Sequence, residues 1–154
     1  MQQKPHTVVY RHRKENVKKC SLRGLEERED FTFYTYPSDP LPDLSDFLML
    51  DIDAPPLTRG DGRHGLFILD GTWRYAEKMA KQINSPPTIR RSIPKEFRTA
   101  YPRKQEDCPD PSLGLASIEA IYIAYTIMGW PTEGLLDHYY WKEPFLENNP
   151  FDKF

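Results

Sequence analysis

The stretch LDGTW (69–73) sets a carboxylate, a glycine, a hydroxyl and an indole side by side, as Asp70, Gly71, Thr72 and Trp73. A strand that ends on an acid, a glycine and a hydroxyl, with a tryptophan directly behind, fits a ligand site. The same residues also fit a strand-end acid with Thr72 capping the next helix, so the residues alone leave both readings open. Asp51 and Asp53 close another apolar run, and Asp61 lies in the loop that follows it. Cys20 and Ser21 come directly after Lys18 and Lys19, cations that would lower a thiol pKa, but no histidine partner for Cys20 can be assigned. The four histidines and two cysteines show neither C-x-x-C nor H-x-x-x-H spacing, which argues against a zinc site. G-x-G-x-x-G, G-x-x-x-x-G-K-[ST] and G-x-S-x-G are absent as well. What remains is Cys20-Ser21, Asp61, the 69–76 turn, the 98–103 loop and the helix entrance at 115–119. Such a set of backbone amides and short side chains positions a ligand rather than attacking it.

These groups need elements to carry them. TVVYRH (7–12), FTFYTYP (31–37), the run within DFLMLDIDAPP (46–56) and GLFILD (65–70) read as strands, rich in β-branched and aromatic residues. Short continuous apolar runs suit a mainly parallel sheet covered on both faces. A short helix is expected around 21–28. A longer one is expected from Thr72 to about Asn84, ended by Ser85-Pro86-Pro87. The proline-punctuated stretch TIRRSIPKEFRTAYPRKQEDCPDPS reads as a long loop, of the kind that tends to be functional. LGLASIEAIYIAYTIMG (113–129) is apolar nearly all round, with Glu119 its one charge, as a helix buried on most sides would be. Residues 132–149 read as a weaker amphipathic helix. The expected fold is α/β in one compact unit: residues 1–84 form the sheet part with the ligand-bearing strand ends, and residues 85–154 form a mostly helical part that completes the pocket. In open α/β sheets ligands sit outside the carboxyl ends of strands, where Asp70 falls.

A chain of 154 residues with 38% hydrophobic and 29% charged residues supports one well-buried core. No run is long and apolar enough to span a bilayer, and the polar, basic opening MQQKPHTVVYRHRK lacks a secretory leader, so no membrane role is expected. Two cysteines point to a reducing, cytoplasmic setting. The net charge of −2 hides two basic runs. Arg11, Arg13, Lys14, Lys18 and Lys19 face a single acid, Glu15, in 10–19. Arg90, Arg91, Lys95, Arg98, Arg103 and Lys104 face Glu96 in 90–104, with Phe97 and Tyr101 interleaved. One such run is an ordinary solvated face; two, with aromatics among the second, are expected to form a polyanion surface fit for RNA.

LDGTW resembles the D-x-[ST]-W motif shared by DTW-domain proteins and the small-subunit ribosomal RNA aminocarboxypropyltransferases. KKCSLRGLE (18–26) is similar to the latter family's Lys-x-Cys-[Ser/Thr] segment. APPLTRGD (54–61) resembles the loop before its D-x-[ST]-W strand, and GLASIEAIYIAY (114–125) its Leu-[ST]-x-x-Glu-Ala helix. The four stand in the family's order between residues 18 and 129. Gly71 after Asp70, Ala116 in place of a common hydroxyl residue, and a 94–104 stretch without the usual asparagines depart from the pattern. The cysteine-based metal motif of many DTW-domain transfer-RNA enzymes is absent.

The resemblance implies a SPOUT-like knotted fold and S-adenosylmethionine as donor, with no metal. It implies transfer of the 3-amino-3-carboxypropyl group to a uridine-type base nitrogen in RNA, expected to be ribosomal RNA, with release of 5′-methylthioadenosine. By the same resemblance Trp73 and Ala76 would cover the donor's methyl group. Ser21 and the 115–119 helix entrance (Leu115, Ala116, Ser117) would hold its carboxylate. Leu69, Asp70 and Thr72 would lie along the ribose, and Ile93 and Tyr101 beside adenine. Asp61 would act as general base or orienting group, and Asp70 is the second catalytic candidate. Arg11, Arg13, Lys14, Lys18, Lys19, Arg90, Arg91, Arg98 and Arg103 are the expected RNA contacts. A monomer is compatible with all of this. The alternatives are a transfer-RNA-uridine aminocarboxypropyltransferase, a SPOUT-type RNA methyltransferase, and a non-catalytic RNA-binding module.

Overall fold

The computed structural model describes residues 6–13, 22, 24–51, 53–70, 73–100 and 117–151, without the side chains of 73–76. Its centre is a five-stranded sheet built from β1 (Thr7–His12), β2 (Phe31–Tyr36), β3 (Phe47–Leu50), β4 (Gly65–Asp70) and β5 (Ile89–Arg91), in the order β2-β1-β4-β3-β5. All four pairings are parallel. Helix α1 (Trp73–Lys81) follows β4, α2 (Ser117–Met128) follows β5, and α3 (Lys142–Glu147) comes last. Two single 3-10 turns, Leu25–Glu27 and Arg59–Arg63, precede β2 and β4.

Side-chain alternation divides the sheet cleanly. Val9, Phe31, Leu48, Leu66 and Ile68 point to one face, where α2 and the C-terminal segment cover them through Ile118, Ile121, Ala124, Leu135 and Phe145. Val8, Tyr10 and Phe67 point to the other face, packed with Leu44 and with Met79 of α1. Both faces are therefore dry, as parallel strands require. The burial of α2 on nearly all sides, with Ile118, Ile121, Ile123, Ala124 and Tyr125 inaccessible, explains why its sequence lacks an amphipathic stripe. Among the described residues no helix is long and apolar enough to cross a membrane.

The structure differs from the sequence expectation in three elements. The part beyond residue 84 supplies β5 as well as helices, so the sheet is not confined to residues 1–84. β5 is a three-residue edge strand with two arginines, held by main-chain pairing to β3 rather than by an apolar pattern. The amphipathic segment 132–149 is mostly turns, opened by Gly134 at φ +81°, and only α3 is helical. Pro144 fits there because the first amides of a helix have no intrahelical acceptor. The helix expected around 21–28 is reduced to the Leu25–Glu27 turn behind Gly24 at φ +92°.

One buried polar pair ties α2 to the first strand. The Thr7 hydroxyl lies 2.6 Å from the Tyr125 phenol. Burial holds the Tyr125 pKa well above its ordinary value, so the phenol stays protonated, and it also reaches Asp30 at 3.5 Å. Tyr125→Phe leaves Thr7 without that partner in the core and is expected to cost about 1–3 kcal/mol. The loss is read as a lower urea midpoint at unchanged m-value.

Candidate active site

The topology singles out one place on the sheet. The connection after β1 leads to β2 on one side, the connection after β4 leads to β5 on the other, and β1 and β4 are neighbours. The crevice outside the carboxyl ends of such a pair is where α/β sheets take their ligands. Asp70 is the last residue of β4 and stands opposite Arg11 of β1. Alternation turns Arg11 and Asp70 to the face that Val9 and Ile68 share, toward α2.

The two are joined. Arg11 Nε donates to Asp70 Oδ2 at 3.1 Å and Arg11 Nη1 donates to Glu26 Oε1 at 3.1 Å. The guanidinium lies 4.7 Å from the centre of the Phe33 ring. Only 11% of the Arg11 side chain and 6% of the Asp70 side chain are exposed. Glu26 also accepts the Gly24 amide at 2.8 Å. Burial raises the Glu26 pKa, but its own amide, Arg11 and the Gly24 amide together outweigh that and leave it below the ordinary value.

Leu69, on the opposite face from Asp70, packs beside Phe67. Ile93 packs against the larger core cluster, and Ser117 opens α2. Just before α2 in space lies the 97–100 loop, which two buried polar side chains hold. Glu119, fully buried, accepts the Thr99 hydroxyl at 2.6 Å, the Ala100 amide at 2.7 Å and the Tyr139 hydroxyl at 3.0 Å. Asn149 accepts the Arg98 amide at 2.6 Å and donates to the Arg98 and Phe145 carbonyls. Glu119 was visible in the sequence as the lone charge of an apolar helix. Asn149 carried no signal there.

Asp61 has partners of its own. It is the third residue of the Arg59–Arg63 turn, where Oδ2 accepts the Thr58 amide at 2.8 Å and the Thr58 hydroxyl at 3.1 Å in a reciprocal cap. Arg91 Nε donates to both of its oxygens at 3.2 Å. The turn leads into β4, while the carboxylate reaches Arg91, the last residue of β5, which pairs with Leu50 at the carboxyl end of β3. Gly62, next to Asp61, accepts the Trp130 indole N–H beside the last residues of α2, at the far end of that helix from Ser117. A capped, ion-paired carboxylate so placed ties the loop to β5.

The RNA-contact expectation also divides. Arg13, Arg90 and Arg98 are exposed. Arg91 is half-exposed and paired with Asp61, and Arg11 points into the protein. Ser21, Thr72, Tyr101, Leu115, Ala116, Lys14, Lys18, Lys19 and Arg103, with the side chains of Trp73 and Ala76, lie outside the described residues. One cleft of about 600 Å³, lined by His6, Phe47, Arg63 and His64 among others, opens at the amino ends of β3 and β4, the edge opposite Asp70. Among the described residues no cluster of histidine, cysteine or acidic side chains could hold a metal ion.

Two outcomes follow. Glu119→Leu removes the acceptor on which the Thr99 hydroxyl, the Ala100 amide and the Tyr139 hydroxyl converge and is expected to lower stability by about 1–3 kcal/mol in denaturant titration. The Glu26 carboxylate, with its folded pKa below 4.5, contributes stability that is present above that value and lost as pH falls through the lower one. The difference in urea midpoint between wild type and Glu26→Gln should therefore shrink as pH is taken from about 6 to about 3.

Known protein families and curated proteins offer no match to this chain. Among solved structures the chain is similar to the SAM-dependent rRNA:acp-transferase Tsr3 from Vulcanisaeta distributa, with a TM-score of 0.70 and 26% sequence identity over 94% of this chain and 78% of that one.

Proposed function

We propose that this chain is an S-adenosylmethionine-dependent transferase that moves the 3-amino-3-carboxypropyl group to a uridine-type base nitrogen in ribosomal RNA. The observation that carries the reading is the likeness of nearly the whole chain to an enzyme of that activity. It agrees with the four motifs in register and with a buried carboxylate at the sheet's switch point. The reading includes a SPOUT-like knotted path and a cytoplasmic setting.

The donor supplies a sulfonium whose three carbon neighbours are all open to a nucleophile, so selection among them falls to the protein. In the productive step the base nitrogen forms a bond to the methylene carbon of the amino-acid arm. The sulfur–carbon bond breaks with its electron pair staying on sulfur, and the base N–H proton leaves to solvent. 5′-Methylthioadenosine is the other product. Asp70 would draw the cationic donor and accept from its ribose, with Leu69 and Thr72 beside it. Trp73 and Ala76, one helical turn apart, would cover the methyl carbon. Ser21 and the amides at Leu115, Ala116 and Ser117 would hold the donor's carboxylate, since a helix start favours an anion. Ile93 and Tyr101 would flank adenine. Asp61, which caps its loop and pairs with Arg91, would act as general base or orienting group. Arg13, Arg90 and Arg98, with Lys14, Lys18, Lys19 and Arg103, would meet RNA phosphates.

The test is incubation of the protein with ribosomal RNA and donor labelled either in the methyl group or in the amino-acid arm. Arm label should enter RNA with equal release of methylthioadenosine. Methyl label in RNA with adenosylhomocysteine would overturn the reading in favour of a methyltransferase, and RNA binding without either product in favour of a binding module.

A further inference from the structure

Of the cations in the first basic run, Arg11 is set apart by strand alternation. Arg13 is exposed one residue past the end of β1, whereas Arg11 shares the inward face with Val9. Its guanidinium reaches the last residue of β4 with one nitrogen and the Leu25–Glu27 turn with another, both at 3.1 Å, while its plane rests near Phe33. These partners are 59 and 15 residues from it in sequence. Glu26 is in turn fixed to the main chain by the Gly24 amide. The strand end that carries Asp70 and the turn that follows Ser21 in the chain are thus bridged by one planar, permanently charged group.

We infer that Arg11 is a positioning residue for the donor cleft rather than an RNA contact. It holds the Asp70 carboxylate in one orientation and sets the separation between the β4 end and the 24–27 turn. Lysine cannot replace it, because an ammonium is a point charge and does not span two carboxylates with a rigid fork. The inference rests on the proposed activity for the identity of the ligand, S-adenosylmethionine.

The experiment measures binding of labelled S-adenosylmethionine by equilibrium dialysis, turnover, and the salt dependence of RNA binding, for wild type, Arg11→Lys and Glu26→Gln. Arg11→Lys should raise the donor Kd and KM about tenfold or more, a loss of about 1.4 kcal/mol by the tenfold conversion. The slope of log K against log salt for RNA should stay at the wild-type value. Glu26→Gln, which keeps Arg11 on Asp70 but removes the second anchor, should raise donor KM by a smaller factor at similar kcat. It also reads the bridge if the lysine variant fails to fold. Arg13→Ala should lower the salt slope by about 0.7–0.9, the effect of one lost phosphate contact. Wild-type donor affinity in both bridge variants, or a salt slope lowered in Arg11→Lys as in Arg13→Ala, would overturn the inference while leaving the transfer reaction intact. Donor binding by wild type without methylthioadenosine release would count against the proposed reaction alone, and absence of donor binding by wild type would overturn both.

Discussion

Parallel pairing of β1 with β4 constrains everything around it. Two parallel neighbours cannot be joined by a tight turn, so the chain must leave each strand's carboxyl end and travel before it returns. Here the two departures go opposite ways, β1 toward β2 and β4 toward β5 through α1. Main-chain bonds saturate the strands themselves, so the character of the carboxyl edge rests on the residues that finish them. Those are Arg11 and His12 on one strand and Leu69 and Asp70 on the other. The chemistry of the crevice is therefore decided by a handful of strand-final side chains whose direction the pleat dictates.

Buried polar groups give the second layer of order. Glu119, Asn149 and the Thr7–Tyr125 pair each join segments far apart in sequence, and each lies where water cannot serve as an alternative partner. A desolvated donor or acceptor without a partner is expensive, so these contacts penalise any packing in which α2 slides along the sheet or the 97–100 loop lifts from its seat. Apolar contacts alone would not discriminate so sharply, since Ile121 or Leu135 finds a neighbour at many offsets. The helix that covers one face is thereby tied at its first turn to the loop and at Tyr125 to β1, with a defined register between.

What was legible in the sequence was local. β1, β2 and β4 show as runs of branched and aromatic residues, and Asp70 could be placed at a strand end from LFILDGT alone. The buried nature of α2 followed from its all-round apolarity, and Glu119 stood out within it. What escaped depends on neighbours remote in the chain. β5 is IRR, which reads as charged loop until β3 is known to lie beside it. Arg11 counted as one more cation of a basic run. That Arg11 faces Asp70 follows only once β1 and β4 are paired in the observed register. Asp61 was singled out by loop resemblance, but its pairing with Arg91 could not be read until β5 was known to be a strand.

The Arg11–Asp70 pair shows why formal charge along a sequence is a poor map of a surface. A carboxylate buried at a strand end is costly unless a cation and hydrogen-bond donors meet it. Arg11 does so from the adjacent strand, and its apolar flank finds Phe33. Desolvating and orienting the acid is thus completed in folding, before any ligand arrives. A cationic ligand entering such a crevice meets a carboxylate already aimed and need not supply the energy to order it. That is the physical content of preorganisation. The charge that composition assigns to an outer face lies in this instance inside the protein, against Asp70 and Phe33.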